Sequence, residues 1–289
     1  MRRIGIFAQG QLGNNLFVLA YALHLIKKHN YKITIFTDCI DLGELYEDIT
    51  FIKDGRLRIK KWPDLMKLYM KLRSGISQKK LECLVSMLDR LFRVRFLGES
   101  WEIPQENELR RWNVGYFQDV GPAMSVKHEL LAILNRLSSR IMRDRISKNV
   151  RDICEKEPYT AVHFRRGVYR NIPEYGLVSA EFVDLDSIKK ESNVFISSDE
   201  DEIERELQNW SGIVNYFSIS NLSTIEAFVV LSGASKIYLS NSTFAWWAGF
   251  FVSLKGGEVI CPTPWFKEAK IPIDYLHHPD FNYKRTIFV

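Results

Sequence analysis

Ile4-Gly-Ile-Phe-Ala8, Gln9-Gly-Gln-Leu-Gly-Asn-Asn15, Leu16-Phe-Val-Leu-Ala-Tyr-Ala-Leu-His-Leu-Ile-Lys-Lys28 and Lys32-Ile-Thr-Ile-Phe-Thr37 follow one another at the start of this chain. The first run is short, apolar and β-prone, and it meets a turn of glycines and amides. The third repeats apolar residues at helical intervals and closes on Lys27, Lys28 and Asn30, and the fourth is β-prone again. Strand, turn, helix and strand in that order form a βαβ unit, which requires a parallel sheet.

The alternation returns in the second half. Strands are predicted over 159–164, 193–196, 213–216, 236–239 and 258–261, and helices over 179–190, 202–210, 224–231 and 245–254. Between the halves, 111–118 is strand-like and 126–154 helical. The expectation is an α/β chain of two Rossmann-like domains with parallel sheets, residues 1–155 and 156–289, joined somewhere in 145–158. At 289 residues with 46% apolar composition the chain has material for two cores.

The amides and glycines of residues 9–15 interrupt the apolar stretch behind Arg2 and Arg3, so it is not a secretion signal. No run reaches the roughly 20 apolar residues of a spanning helix. The expectation is a soluble or at most peripheral protein. Four scattered cysteines (Cys39, Cys83, Cys154, Cys261) suggest a reducing compartment with neither disulfides nor structural zinc.

The net charge of +5 is unevenly spread, because residues 53–95 hold thirteen lysines and arginines against four acids. Apolar residues recur there at helical spacing, which predicts a basic helical insertion. A solvated helix face, an anionic membrane face and a lipid-diphosphate-linked acceptor all fit such a surface. Nucleic acid ranks lowest, for want of a recognition module.

Three motifs carry chemistry. In residues 159–170 the β-prone run Thr160-Ala-Val-His-Phe164 opens into Arg165, Arg166 and Gly167. Two guanidinium forks at the mouth of a buried strand suit a diphosphate, and open α/β sheets bind ligands at the carboxyl ends of their strands. The alternative is a surface pair bridged to carboxylates. In Gly10-Gln-Leu-Gly-Asn-Asn15 the glycines permit close backbone approach, although their spacing differs from the dinucleotide fingerprint. An NAD-linked oxidoreductase rests on the opening βαβ unit alone. In Ser240-Asn-Ser-Thr-Phe244, ahead of Trp246 and Trp247, a strand stops and a helix begins, with Ser242 or Thr243 as cap and free N–H groups suited to phosphate; an ordinary cap above core tryptophans is the alternative. The acids Asp199, Glu200 and Asp201 fit a helix start better than a metal site.

Taken together, the loop at 10–15, Gly115-Tyr-Phe-Gln118, His163-Phe-Arg-Arg-Gly167, Phe195-Ile-Ser-Ser-Asp199, Ser240-Asn-Ser-Thr-Phe-Ala-Trp-Trp247 and Pro262-Thr-Pro-Trp-Phe266 resemble glycosyltransferase family 11. Its best-known members are the α-1,2-fucosyltransferases. The resemblance implies a GT-B fold with two domains facing a cleft, a GDP-sugar donor held by the C-terminal domain and a glycan acceptor facing the N-terminal one. It implies inversion at the anomeric carbon and no metal or other cofactor. Arg165 resembles the arginine that grips the β-phosphate, with Arg166 beside it, and Asn14 resembles the loop asparagine that reaches the reaction centre. Ser242, Thr243 and Phe244 would lie against the diphosphate. His163 would contact guanine or be a packed strand histidine, and Gly13, Asp199, Glu226 and Asn241 fall on the donor side. The family pattern continues Arg-Arg-Gly-Asp-Tyr, whereas Val168 stands here at the aspartate position. The expected role is transfer of a 6-deoxyhexose, L-fucose foremost, to an oligosaccharide or lipid-linked glycan in bacterial surface polysaccharide synthesis. The expected place is the cytoplasm or the inner membrane face. A catalytically degenerate sugar-nucleotide or glycan binder is the alternative that Val168 raises.

Overall fold

The computed structural model describes the chain except for residues 46–47, 50–54, 79–81, 97–103, 105–107, 189–192, 201–202, 208–209, 211–214 and 269–273. Its strands are β1 (Arg3–Ala8), β2 (Lys32–Phe36), β3 (Leu57–Lys60), β4 (Val94–Phe96), β5 (Trp112–Gly115), β6 (Thr160–Phe164), β7 (Asn193–Ser198), β8 (Asn215–Ser218), β9 (Lys236–Tyr238), β10 (Glu258–Thr263) and β11 (Asn282–Arg285). The helices are α1 (Leu12–His29), α2 (Ile40–Glu44), α3 (Asp64–Gln78), α4 (Glu82–Leu91), α5 (Val120–Ser125), α6 (Lys127–Asp144), α7 (Lys148–Lys156), α8 (Ile203–Glu206), α9 (Thr224–Ser232) and α10 (Thr243–Leu254). Tight backbone contacts divide the chain into two units, Met1–Leu130 and Leu131–Val289.

The first unit is a five-stranded sheet in the order β3-β2-β1-β5-β4, with every pairing parallel. Gly5 lets β1 lie close to its neighbours, since a Cβ there would come within 2.2 Å of the Trp112 ring. Phe7 stacks on Phe36 at 4.7 Å, and Trp62 and Trp112 close over them. Helix α1 buries most of its length and stops at Asn30, whose left-handed backbone returns its N–H to the Ile26 carbonyl. Lys27, Lys28 and His29 complement the negative end of its dipole.

The second unit is a six-stranded parallel sheet, β11-β10-β9-β6-β7-β8. All five residues of β6 are buried, as are five of the six in β7, the continuous apolar run of a sheet covered on both faces. The expected α/β class with two Rossmann-like parallel sheets is what the chain adopts.

Several local expectations are corrected. The basic region carries the two expected helices, α3 and α4, but β3 and β4 flank them and belong to the first sheet. The division at 130/131 precedes the expected 155/156, and beyond it Arg145 binds Glu226 at 2.8 Å and Ser223 at 3.1 Å in the second unit. In place of a helix over 179–190 there is a short 3-10 turn, Ala180–Phe182. Asp184 accepts from the Ser187 N–H and hydroxyl through its side chain and carbonyl, offering the backbone a local alternative to a helix. Helix α1 begins at Leu12 rather than Leu16, so Gly13, Asn14 and Asn15 form its first turn. The expected helix at 202–210 and strand at 213–216 lie partly outside the described residues. Strand β11, paired with β10, was not anticipated. Cys39, Cys154 and Cys261 carry free thiols. Among the described residues no helix is long and apolar enough to cross a membrane.

Candidate functional site

Because β6 lies between β9 and β7, the residues leaving its carboxyl end meet those leaving both neighbours. His163, next to last in β6, places Nδ1 2.7 Å from the Ser240 hydroxyl that follows β9, and its ring centroid is 5.3 Å from that of Phe244 in α10. On the other side, Asp199 at the end of β7 accepts the Arg166 N–H at 2.6 Å and pairs with Arg165 Nη1 at 2.8 Å. Gly167 makes this approach possible, since a Cβ there would stand 2.4 Å from Asp199 Oδ2. Gly167, in effect, fits Asp199 against the arginine pair.

The two arginines have opposite fates. Arg166 is fully buried and turned inward, with Nε 3.0 Å and Nη2 2.5 Å from the two oxygens of Glu206 and its guanidinium 4.9 Å over the Phe164 ring. Burial opposes ionisation of Glu206, but Arg166 and then Arg170 outweigh it and hold the carboxyl below its ordinary value. The Arg166 side chain is thus engaged with Glu206 rather than turned to solvent. Arg165 has a side chain about a quarter exposed, packed 5.3 Å over Tyr169. Both arginines are bridged to carboxylates, but the Arg165 side chain is partly exposed and that of Arg166 is not.

Burial, then the charges of Arg165 and Arg166, push His163 down from 6.5 to about 3. Its neutral ring suits the hydrogen bond to Ser240, and folding therefore favours the unprotonated form. Since the unfolded chain binds the extra proton, the His163 contribution to stability is complete above the unfolded value of 6.5 and is lost as pH falls from there toward the folded value of about 3. The expected loss between pH 7 and pH 5 is about 2 kcal/mol. Urea unfolding of the wild type and of His163→Gln across that range checks it: the variant, whatever its baseline, should lack this slope, and an unchanged slope would assign the titration elsewhere.

Further along the edge, Ser242 is the N-cap of α10 without a side-chain capping bond, and its carbonyl accepts the Trp246 N–H at 2.8 Å. The amides of Thr243 and Phe244 precede that bond, at the positive end of the helix. Trp246 and Trp247 are buried, so the core reading holds for both. Asn241 donates to the carbonyls of Tyr175 (3.0 Å) and Gly176 (3.1 Å), while its Oδ1 is buried with no partner among the described residues. Glu226 completes a capping box with Ser223 at the start of α9 and binds Arg145, so its carboxylate is already committed. Val168 is 60% exposed and offers no carboxylate.

Gly13 and Asn14 belong to the first unit. Asn14 Oδ1 accepts from Gln118 Nε2 at 2.8 Å, and Gly10, at φ +77°, leaves room for the Asn14 amide, which a Cβ would meet at 2.3 Å. Asn15 is structural: it is buried, donates to the Gly10 and Gln11 carbonyls and accepts from the Thr37 hydroxyl. The sequence reading missed Glu206 and Arg145, whose roles come from long-range pairing with no local signature. Ser240 lay inside the quoted motif without being singled out. Among the described residues no group of three or more His, Cys, Asp or Glu is placed to hold a metal ion.

Two tandem Rossmann-like units, the second presenting an arginine and a helix start at its carboxyl edge, are the makeup of a GT-B-type chain. Residues 101–280 match Glycosyl transferase family 11, and the chain belongs to that family. It is 26% identical over 172 residues to an alpha-1,2-colitosyltransferase from Escherichia coli, an alignment spanning 55% of this chain and 57% of that protein. Among solved structures it is similar to the fucosyltransferase NodZ from Bradyrhizobium (TM-score 0.45, 11% identity, 86% of this chain and 92% of that one). It is also similar to POFUT1 in complex with GDP (TM-score 0.41, 10% identity, 90% and 98%).

Proposed function

We propose that this chain transfers a 6-deoxyhexose, L-fucose or a relative such as colitose, from a GDP-sugar to a hydroxyl of a glycan acceptor, with inversion and without a metal. The observation that carries the reading is the partly exposed Arg165 side chain at the carboxyl edge of β6, one strand from the start of α10. Family membership and the name of the Escherichia coli relative support the sugar class.

In the proposed reaction the acceptor oxygen forms a bond to the anomeric carbon as the bond from that carbon to the β-phosphate oxygen breaks. The electron pair leaves with GDP. Charge therefore grows on the diphosphate, where Arg165 and the α10 amides are fixed donors, each worth roughly 3 kcal/mol when well placed. Such donors supply what a divalent ion supplies elsewhere. His163 stays neutral and, through Ser240, fixes the turn between β9 and α10. The acceptor proton passes to solvent water in this step, because Val168 carries no carboxylate and Asp199 and Glu206 are paired with arginines. An α-1,2 linkage to a galactoside and a role in O-antigen synthesis are the finer expectations.

Incubation with a panel of GDP-sugars and candidate glycans, read by mass spectrometry, tests this. Transfer in the presence of EDTA is expected for one 6-deoxyhexose donor. GDP alone should raise the melting temperature without added metal. Val168 favours a second reading, a degenerate binder, which predicts the GDP shift with no turnover of any donor.

A further inference from the structure

Helices α3 and α4 pack as an antiparallel pair: the Tyr69 hydroxyl is 2.5 Å from Asp89, Arg73 reaches the same carboxylate at 3.3 Å, and the Tyr69 and Phe92 rings are 5.2 Å apart. The inward side is satisfied, with Met66 and Tyr69 in one buried cluster with Phe7, Val94 and Val114. The outward side is not what a soluble helix pair needs. Leu65, Leu68 and Leu72 on α3 and Leu84, Met87 and Leu91 on α4 repeat the same i, i+3, i+7 stripe, and all six are between 44% and 72% exposed. Single exposed leucines are ordinary, but six large apolar side chains in two matched stripes form a contact surface.

The charges around the stripes identify the occupant. Lys61, Lys71, Arg90 and Arg93 are exposed, as is Lys67, which pairs with Asp38 at 3.2 Å. Apolar stripes edged by lysine and arginine, on helices that cannot span a bilayer, match the face of a helix lying in the plane of an anionic lipid surface. A second copy fits less well, because a two-fold contact sets a patch against itself and would bring these like charges together. We infer that the α3–α4 pair is an interfacial anchor for a membrane carrying anionic lipid, its leucines entering the headgroup boundary and its cations paired with lipid phosphates. This goes beyond the transferase reading and does not depend on it, since vesicle binding needs no donor sugar.

Co-sedimentation of the full chain with vesicles tests it. Binding is expected to phosphatidylcholine vesicles containing a quarter phosphatidylglycerol, falling at least about tenfold in pure phosphatidylcholine and weakening as salt shortens the Debye length. Leu68→Gln/Leu72→Gln/Met87→Gln/Leu91→Gln should lose at least about tenfold in anionic-vesicle binding while retaining the wild-type melting temperature and GDP response. Lys71→Glu/Arg90→Glu, which leaves the stripes intact, should show a comparable loss and serves if the first variant folds poorly. The inference is overturned if the wild type stays in the supernatant with both vesicles, if neither variant changes binding, or if sedimentation velocity finds a stripe-dependent dimer that ignores lipid.

Discussion

Arg165→Ala is expected to yield a folded protein that GDP no longer stabilises and that transfers sugar at least about a hundredfold more slowly. Folding should survive because Arg165 is about a quarter exposed and its partner Asp199 is not stranded. That carboxylate keeps the Arg166 N–H at 2.6 Å and is itself about a quarter exposed. A screened pair of this kind contributes about 1 kcal/mol or less. The loss falls on the ligand. A charge-assisted hydrogen bond to phosphate is worth about 1.5–3 kcal/mol in the ground state, or roughly tenfold to a hundredfold in GDP affinity. The gap widens in the transition state, where the diphosphate carries more charge. Arg165→Lys keeps the charge without the planar fork and should fall between the two. Asp199→Asn separates orientation from charge: it retains Arg165 but weakens the contact that aims it, so its GDP shift should shrink without vanishing. Thermal shift against GDP, followed by turnover of the active donor, measures all three. A wild-type GDP response in Arg165→Ala would move the diphosphate site elsewhere.

The parts of this chain legible in its sequence are those where local pattern and tertiary role coincide. In β6 and β7, burial on both faces demands unbroken apolar runs, and those runs are visible. Helix α9 carries its own start signal, Ser223 with Glu226 three residues on. Strands β3 and β11 carry no such mark. Leu57-Arg-Ile-Lys60 alternates half-buried and exposed residues, Asn282-Tyr-Lys-Arg285 has no buried residue at all, and at the sheet edges only pairing with β2 and β10 makes them strands. The same holds for the site. The arginine pair announced a charged strand end, but which arginine faces solvent depends on Glu206, forty residues away on a four-residue helix. No spacing rule connects the two.

That distant carboxylate sets the largest stability effect expected for a single substitution. Arg166 is wholly buried, and Glu206 answers it with both oxygens while the Arg165 carbonyl accepts from Nη1 at 3.2 Å. Removing one partner of a buried pair leaves an uncompensated charge, at a cost of about 3–5 kcal/mol, whereas replacing the charge itself with an apolar side chain of similar volume is much milder. The two ends are also unequal. Glu206 is 30% exposed and retains Arg170 at 3.5 Å, so it tolerates the loss of Arg166; Arg166 has no water to turn to. Glu206→Ala should therefore lower the melting temperature by about 10 °C or more, and Arg166→Met by clearly less. Differential scanning calorimetry of the two variants checks the order. Arg166→Met should also keep most of its GDP response, because the side chain that would be lost supports the Arg165 peptide from behind and presents nothing to a ligand. Equal destabilisation by both substitutions, or loss of the GDP shift in Arg166→Met, would mean that the inward-turned guanidinium rotates into the site when the diphosphate binds.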